Sequence, residues 1–285
     1  MYSLVIICDN LSSIQIYGLT LSPLEKLMFG SRVEAIKKET KELFSSVNPN
    51  LKSTMLQDMV LIFPGAGGAD DLTSELESKI KNCDEIVQLK NAPRFIQVWD
   101  WKQFRGSVMS AAFDGEAVGE AVAEAIFGND CLKGQIRSIH SIGISVGGFA
   151  GHAFAKQCKI LSGSQTHVRL TLLDPFCSRG LLGLGYGAKY FGQGVDYAEQ
   201  YLNTDDPVPT TNDPLPLCAV FDITKAKERS SFVPPEVSSC ENRMFMHYYR
   251  SNFHIIQLFL HQGRFYAFVA CSLLCKICIS NTVRE

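Results

Sequence analysis

Apolar positions along the chain follow two rhythms. Residues 1–20 alternate loosely between apolar and polar, which predicts one or two short strands. From Ser22 to about Val47 the spacing lengthens to that of a helix. Leu24, Leu27, Met28, Val33, Ile36 and Phe44 share a face there, with Lys and Glu between them. Ser22 suits the N-cap, and Pro23 suits the first turn, where its missing N–H costs no hydrogen bond. Asn48-Pro49-Asn50 stops this helix. Beyond residue 58, short apolar runs alternate with helical stretches. Strands are predicted at Met59–Phe63, Phe95–Trp99, Ile136–Ile144, Val168–Leu173 and Ala198–Leu202. Helices are predicted in the polar stretch after Gly68, at Glu116–Phe127 and at Gly147–Lys156.

Continuous apolar strands separated by helices predict an α/β fold with a mostly parallel central sheet and helices on both faces. In such sheets function gathers in loops at the carboxyl ends of the strands. Three units follow: residues 1–54 as a strand and helix extension, 55–252 as the main α/β domain, and 253–285 as an apolar C-terminal segment. That segment is expected either to pack on the domain or to touch a membrane surface. The stretch 177–194, rich in glycine and aromatic residues, is expected to be a mobile loop, either an ordinary surface connection or a lid that meets an acyl chain.

Composition narrows the classes. Apolar residues make up 46% of the 285 and charged residues 20%, enough for a sizeable core and against general disorder. Lys plus Arg number 27 and Asp plus Glu 29, a net charge of −2, so no positive field is available to hold nucleic acid. No apolar stretch reaches the roughly 20 residues of a membrane-spanning helix. The ten cysteines lack zinc-ligand spacing, and no metal or organic cofactor is expected. Cys271, Cys275 and Cys278 read as small buried hydrophobes, with palmitoylation as the sharper alternative. The N-terminal apolar run is too short for a signal peptide, which favours a cytoplasmic or membrane-associated protein.

The chemistry centres on Gly143-Ile-Ser145-Val-Gly147, a Gly-x-Ser-x-Gly segment with an apolar strand before it and a small-residue helix after it. A nucleophile on a sharp strand-to-helix turn needs glycines on either side because two backbones pass close to it. The first amides of the helix, beginning with Val146, can stabilise an oxyanion. Pro64-Gly65-Ala66-Gly67-Gly68 ends the first apolar strand of the domain and offers bare backbone for a second donor, Ala66 N–H. Asp174 ends one downstream strand, and Asp205-Asp206 follows another; either location can orient an imidazole. His247 lies downstream of both acids. His254 and His261 sit in the apolar tail, His140 lies within the strand before the turn as a packed residue, His152 is on the following helix and His167 is in a polar turn.

These residues resemble the pancreatic-type lipases and phospholipases of the α/β-hydrolases, over Val60 to about Tyr249. The resemblance is carried by Val98-Trp-Asp100-Trp101, Gly143-Ile-Ser145-Val-Gly147, Leu173-Asp174-Pro175, Asn203-Thr204-Asp205 and His247-Tyr-Tyr. It implies an α/β-hydrolase fold and a triad of Ser145, Asp174 and His247. Asp206-Pro-Val-Pro is similar to the acid segment of fungal-type class three lipases, which makes Asp206 the alternative acid. The chain departs from the first family at Ile144 and Val146, where His and Leu are usual, and at Phe63-Pro64 before the oxyanion glycine. The expected function is cleavage of lipid or other small carboxylic esters through an acyl-enzyme, with Ala66 and Val146 N–H groups as the oxyanion hole. The alternative is a non-catalytic α/β-hydrolase fold that binds or scaffolds.

Overall fold

Strands that are apolar on both sides must be covered on both sides, and the architecture follows from that demand. The computed structural model describes residues 23–49, 58–86, 94–105, 108–128, 136–162, 166–179, 185–204 and 212–225. The strands expected in 1–20, the Ser22 cap and the segment 253–285 lie outside these residues. Six strands form one parallel sheet: β1 (Asp58–Phe63), β2 (Arg94–Val98), β3 (Ser138–Ile144), β4 (His167–Leu173), β5 (Tyr197–Leu202) and β6 (Ala219–Asp222). Their order across the sheet is β2-β1-β3-β4-β5-β6. The helices are α1 (Pro23–Val47), α2 (Asp71–Ile86), α3 (Val108–Phe127), α4 (Gly147–Ser162) and the short α5 (Tyr186–Tyr190).

Alternation along the strands assigns each side chain to a face. Met59, Leu61 and Phe63 of β1 join Val168, Leu170 and Leu172 of β4 in the larger core, with Val118 and Val122 of α3 and Phe149 and Phe154 of α4. Val33, Ile36 and Phe44 bring α1 into the same cluster, where α1 packs on α3. Val60, Ile62, Ile142, Ile144 and Leu173 point the other way and meet Leu76 and Ile80 of α2. The sheet is therefore covered on both faces. A reciprocal cap starts α2: Thr73 N–H donates to Asp70 Oδ1 at 2.8 Å, and Asp70 N–H donates to Thr73 Oγ1 at 2.7 Å.

Four details differ from the sequence reading. The helix expected from Glu116 begins at Val108, because Gly115 and Gly119 serve close packing rather than a break. A Cβ on Gly119 would lie 2.1 Å from Ala150 O and 2.7 Å from Phe154 N, so its absence sets how near α3 comes to α4. His167 is not in a turn; it opens β4 opposite Ser138, and its N–H donates to Arg137 O at 2.9 Å. Strand β6 is additional. Finally, the described parts of 177–194 are anchored rather than loose. Arg179 Nη1 meets Glu116 Oε2 of α3 at 2.9 Å, Tyr186 Oη donates to Glu116 Oε1, and Cys177 and Phe191 are buried.

Between α1 and α3, Lys37 Nζ lies 2.5 Å from Glu120 Oε2, with both side chains buried. Burial pushes the Glu120 carboxyl from its ordinary 4.5 up to about 7, against the pull of the Lys37 charge. Between those two values the folded chain binds more protons than the unfolded one, so this group's contribution to stability falls as pH rises from 4.5 through 7. Urea midpoints at several pH values should show a shallower decline across that window for Glu120→Gln than for wild type. Identical slopes would assign the effect to other groups.

Candidate active site

The winding of the sheet reverses at β1. The chain leaves β1 for the outer strand β2, then returns on the other side of β1 as β3, so the carboxyl ends of β1 and β3 form the switch point of the sheet, where such folds place their sites. The loop after β1 is Pro64–Gly68, and the residue after β3 is Ser145.

Ser145 is fully buried and has φ +53°, a left-handed conformation that costs a non-glycine residue roughly 1–2 kcal/mol. Backbone bonds hold it there. Its N–H donates to Leu173 O at 3.0 Å, and its carbonyl accepts from Gly148 N at 2.9 Å and Phe176 N at 3.2 Å. The neighbouring glycines are required by space. A Cβ on Gly147 would stand 2.2 Å from Phe63 O, and one on Gly143 would stand 2.7 Å from the Gly148 Cα. A Cβ on Gly65 would reach both Ile144 O and the Ser145 Cβ at 3.2 Å, so the loop after β1 lies directly against the serine. Val146, fully buried, precedes α4, and its carbonyl accepts from Phe149 N–H at 3.2 Å.

Ile144 is paired with Leu173, so Ser145 and Asp174 leave adjacent strands at the same level. Asp174 also has a left-handed backbone, φ +46°, and its N–H donates to Tyr201 O at 3.0 Å. Its side chain is completely buried. The fold thus brings Ser145, Val146, Asp174 and the loop carrying Ala66 to one end of the sheet. His247 and Asp206 lie outside the described residues.

The three described histidines are engaged elsewhere. His140 is buried in β3 with its Nε2 2.7 Å from Thr171 Oγ1, and that hydroxyl donates to Glu199 Oε1 at 2.7 Å. The imidazole is therefore the donor through Nε2. Burial, aided by the Arg169 charge, holds it well below the usual histidine range. His152, on α4, donates from Nε2 to Gln193 O at 3.2 Å, and burial lowers it to about 4 despite that carbonyl. His167 faces Asp196 at 3.8 Å.

Sequence reasoning missed what stands behind the Pro64–Gly68 loop. Trp101 Nε1 donates to Pro64 O at 3.0 Å, and Arg105 Nη1 donates to Gly65 O and, at 3.0 Å, to Ala66 O. A lone arginine after the Asp100-Trp101 strand end was the available signal, but only the fold shows what it touches. Among the described residues no group of three or more His, Cys, Asp or Glu could hold a metal ion, and no helix is long and apolar enough to cross a membrane. Neither a protein-family model nor a curated protein nor a solved structure gives a significant match to this chain.

Proposed function

We propose that the chain is a serine hydrolase of the α/β-hydrolase type that cleaves carboxylic esters, with lipid or other acyl esters as the substrate class. The observation that carries this reading is Ser145: a non-glycine residue at φ +53°, between a parallel strand and a helix N-terminus, flanked by glycines that could not carry a Cβ. A serine on such a turn is fixed in place by the backbone rather than by a flexible rotamer. The neighbouring Asp174, with its own left-handed backbone, is the preferred acid, and His247 is the proposed base.

In this mechanism Ser145 Oγ attacks the ester carbonyl while His247 takes its proton. The oxyanion is bound by Ala66 and Val146 N–H groups until the C–O bond to the alcohol breaks, and His247 returns the proton to the leaving oxygen. Water, deprotonated by the same imidazole, then cleaves the acyl-enzyme. Asp174 keeps the imidazole in the needed tautomer and stabilises its charged form.

A fluorophosphonate probe should label the folded protein once, with the adduct mass on the peptide that carries Ser145. Labelling should slow sharply in His247→Gln and in Asp174→Asn while Asp206→Asn labels normally. Slow labelling of the Asp206 variant beside a normal Asp174 variant would transfer the acid role to Asp206. A folded wild type that takes up no probe and hydrolyses no p-nitrophenyl ester would leave a binding or scaffold role.

A further inference from the structure

We infer that Arg105 is a positioning residue for the oxyanion hole: it fixes the peptides of the Pro64–Gly68 loop so that their amides, Ala66 N–H above all, face the reaction. This role rests on the serine-hydrolase reading above.

The inference follows from the planarity of the peptide. In a trans peptide the C=O of one residue and the N–H of the next point in opposite directions. No cis bond occurs among the described residues. Gly65 O belongs to the same peptide plane as Ala66 N–H, and Ala66 O to the same plane as Gly67 N–H. Arg105 Nη1 holds both oxygens, and Trp101 Nε1 holds the preceding one, Pro64 O, at 3.0 Å. Three successive carbonyls are therefore drawn to the side of Arg105 and Trp101. Their three partner amides, on Gly65, Ala66 and Gly67, are turned away from it. Successive amides presented together form an anion-binding concavity. Ser145 is in direct contact with this loop, at the 3.2 Å approach between its Cβ and the Cβ position of Gly65.

A loop of this composition needs such a clamp. Gly65, Gly67 and Gly68 impose little backbone preference of their own, so the Gly65–Ala66 peptide keeps its orientation through the bonds its oxygen accepts, from Arg105 Nη1 and, at 3.0 Å, from Gly68 N–H. A flip would aim a carbonyl oxygen at the developing negative charge, turning stabilisation into repulsion. The clamp is itself well held. Arg105 Nη2 bonds Asp100 Oδ1 at 2.6 Å, the guanidinium lies 5.5 Å from the Trp101 ring centroid, and the side chain is 2% exposed. Gly68, at φ +91°, leaves room for it, since a Cβ there would lie 2.6 Å from Nη2. Arginine also stays charged at any working pH and presents several donors in a fixed plane, so one side chain can grip two carbonyls and a carboxylate together. Lysine offers a single ammonium and cannot reproduce that fork.

The test compares wild type, Arg105→Lys and Asp100→Asn in hydrolysis of p-nitrophenyl butyrate and in inhibition by an alkyl trifluoromethyl ketone, which serine hydrolases bind as a hemiketal oxyanion. Arg105→Lys is expected to lower kcat tenfold or more, leave KM within threefold, and raise the inhibitor Ki by a factor that matches the loss in kcat. A general loosening of the fold would not produce that matched pair. Asp100, partly exposed, tolerates replacement, and Asp100→Asn should shift kcat and Ki the same way by threefold or more; it decides the question if Arg105→Lys does not fold. Smaller changes in the variant that decides overturn the role of Arg105. A folded wild type without Ser145-dependent hydrolysis overturns the serine-hydrolase reading and this role together. Hydrolysis through Ser145 beside a fully active Arg105→Lys overturns this role alone.

Discussion

Ser145→Gly is expected to give a protein that is inactive yet more stable than Ser145→Ala. Both substitutions remove the proposed nucleophilic oxygen, and each should lower ester hydrolysis by about a thousandfold or more, the scale on which triad serines act. Their stabilities should separate because of the backbone. At φ +53° any Cβ is strained, and glycine relieves roughly 1–2 kcal/mol of that strain. Glycine also loosens the unfolded chain, which offsets about 0.4–1 kcal/mol of the gain. The net advantage of Ser145→Gly over Ser145→Ala is then about 0.5–1 kcal/mol, read from paired urea titrations. Equal stabilities would show that the turn carries no strain of the kind the backbone angle indicates. Retained hydrolysis in either variant would remove Ser145 from the chemistry.

The largest effect on folding is expected from Gly119→Val. The new Cβ would sit 2.1 Å from Ala150 O and 2.7 Å from Phe154 N, and both are backbone atoms that cannot swing aside. Helices α3 and α4 would have to separate, opening contacts among fully buried residues such as Val118, Val122, Phe149 and Phe154. Overpacking of this kind costs typically 1–3 kcal/mol and more when backbone must move, so a loss of about 3 kcal/mol or more is expected. Gly30→Ala in α1 is the matched control. Nothing lies within 4 Å of its Cβ position, so helix propensity alone should act and stabilise by about 0.5–1 kcal/mol. A Gly119→Val protein with a wild-type urea midpoint would mean that α3 and α4 do not approach as closely as described.

The elements that could be read from the sequence are those whose determinants are local. β1, β3 and β4 are apolar runs that stop at Pro64, Ser145 and Asp174, and each stop coincides with a change in backbone direction. The glycines around Ser145 were legible for the same reason, since a sharp turn writes its steric needs into adjacent positions. β6 was not legible. Ala219–Asp222 is short, mostly exposed and preceded by a proline-rich stretch, so neither period nor burial marks it. The start of α3 was hidden because Gly115 reads locally as a breaker, whereas its purpose lies across a helix interface. A Cβ there would be 3.2 Å from the Phe149 Cβ. Arg105 was hidden more completely: its partners Gly65 and Ala66 precede it by some forty residues, and hydrogen bonds to main-chain oxygens leave no trace in the identity of the acceptor. Asp174 could be named from its place at a strand end, but its left-handed backbone and its level match with Ser145 needed the register of β3 and β4.

The bond from the Ser145 amide to Leu173 O has a consequence for the newly made chain. Gly143–Gly147 is synthesised before Leu173, so the nascent segment cannot yet make the bond that holds Ser145 in its turn. Gly147 must also find Phe63, which left the ribosome long before it. The geometry around Ser145 is thus assembled from pieces made at three different times. It is complete only once the inner strands have paired, so on the serine-hydrolase reading proposed above a growing polypeptide would carry no prematurely active nucleophile.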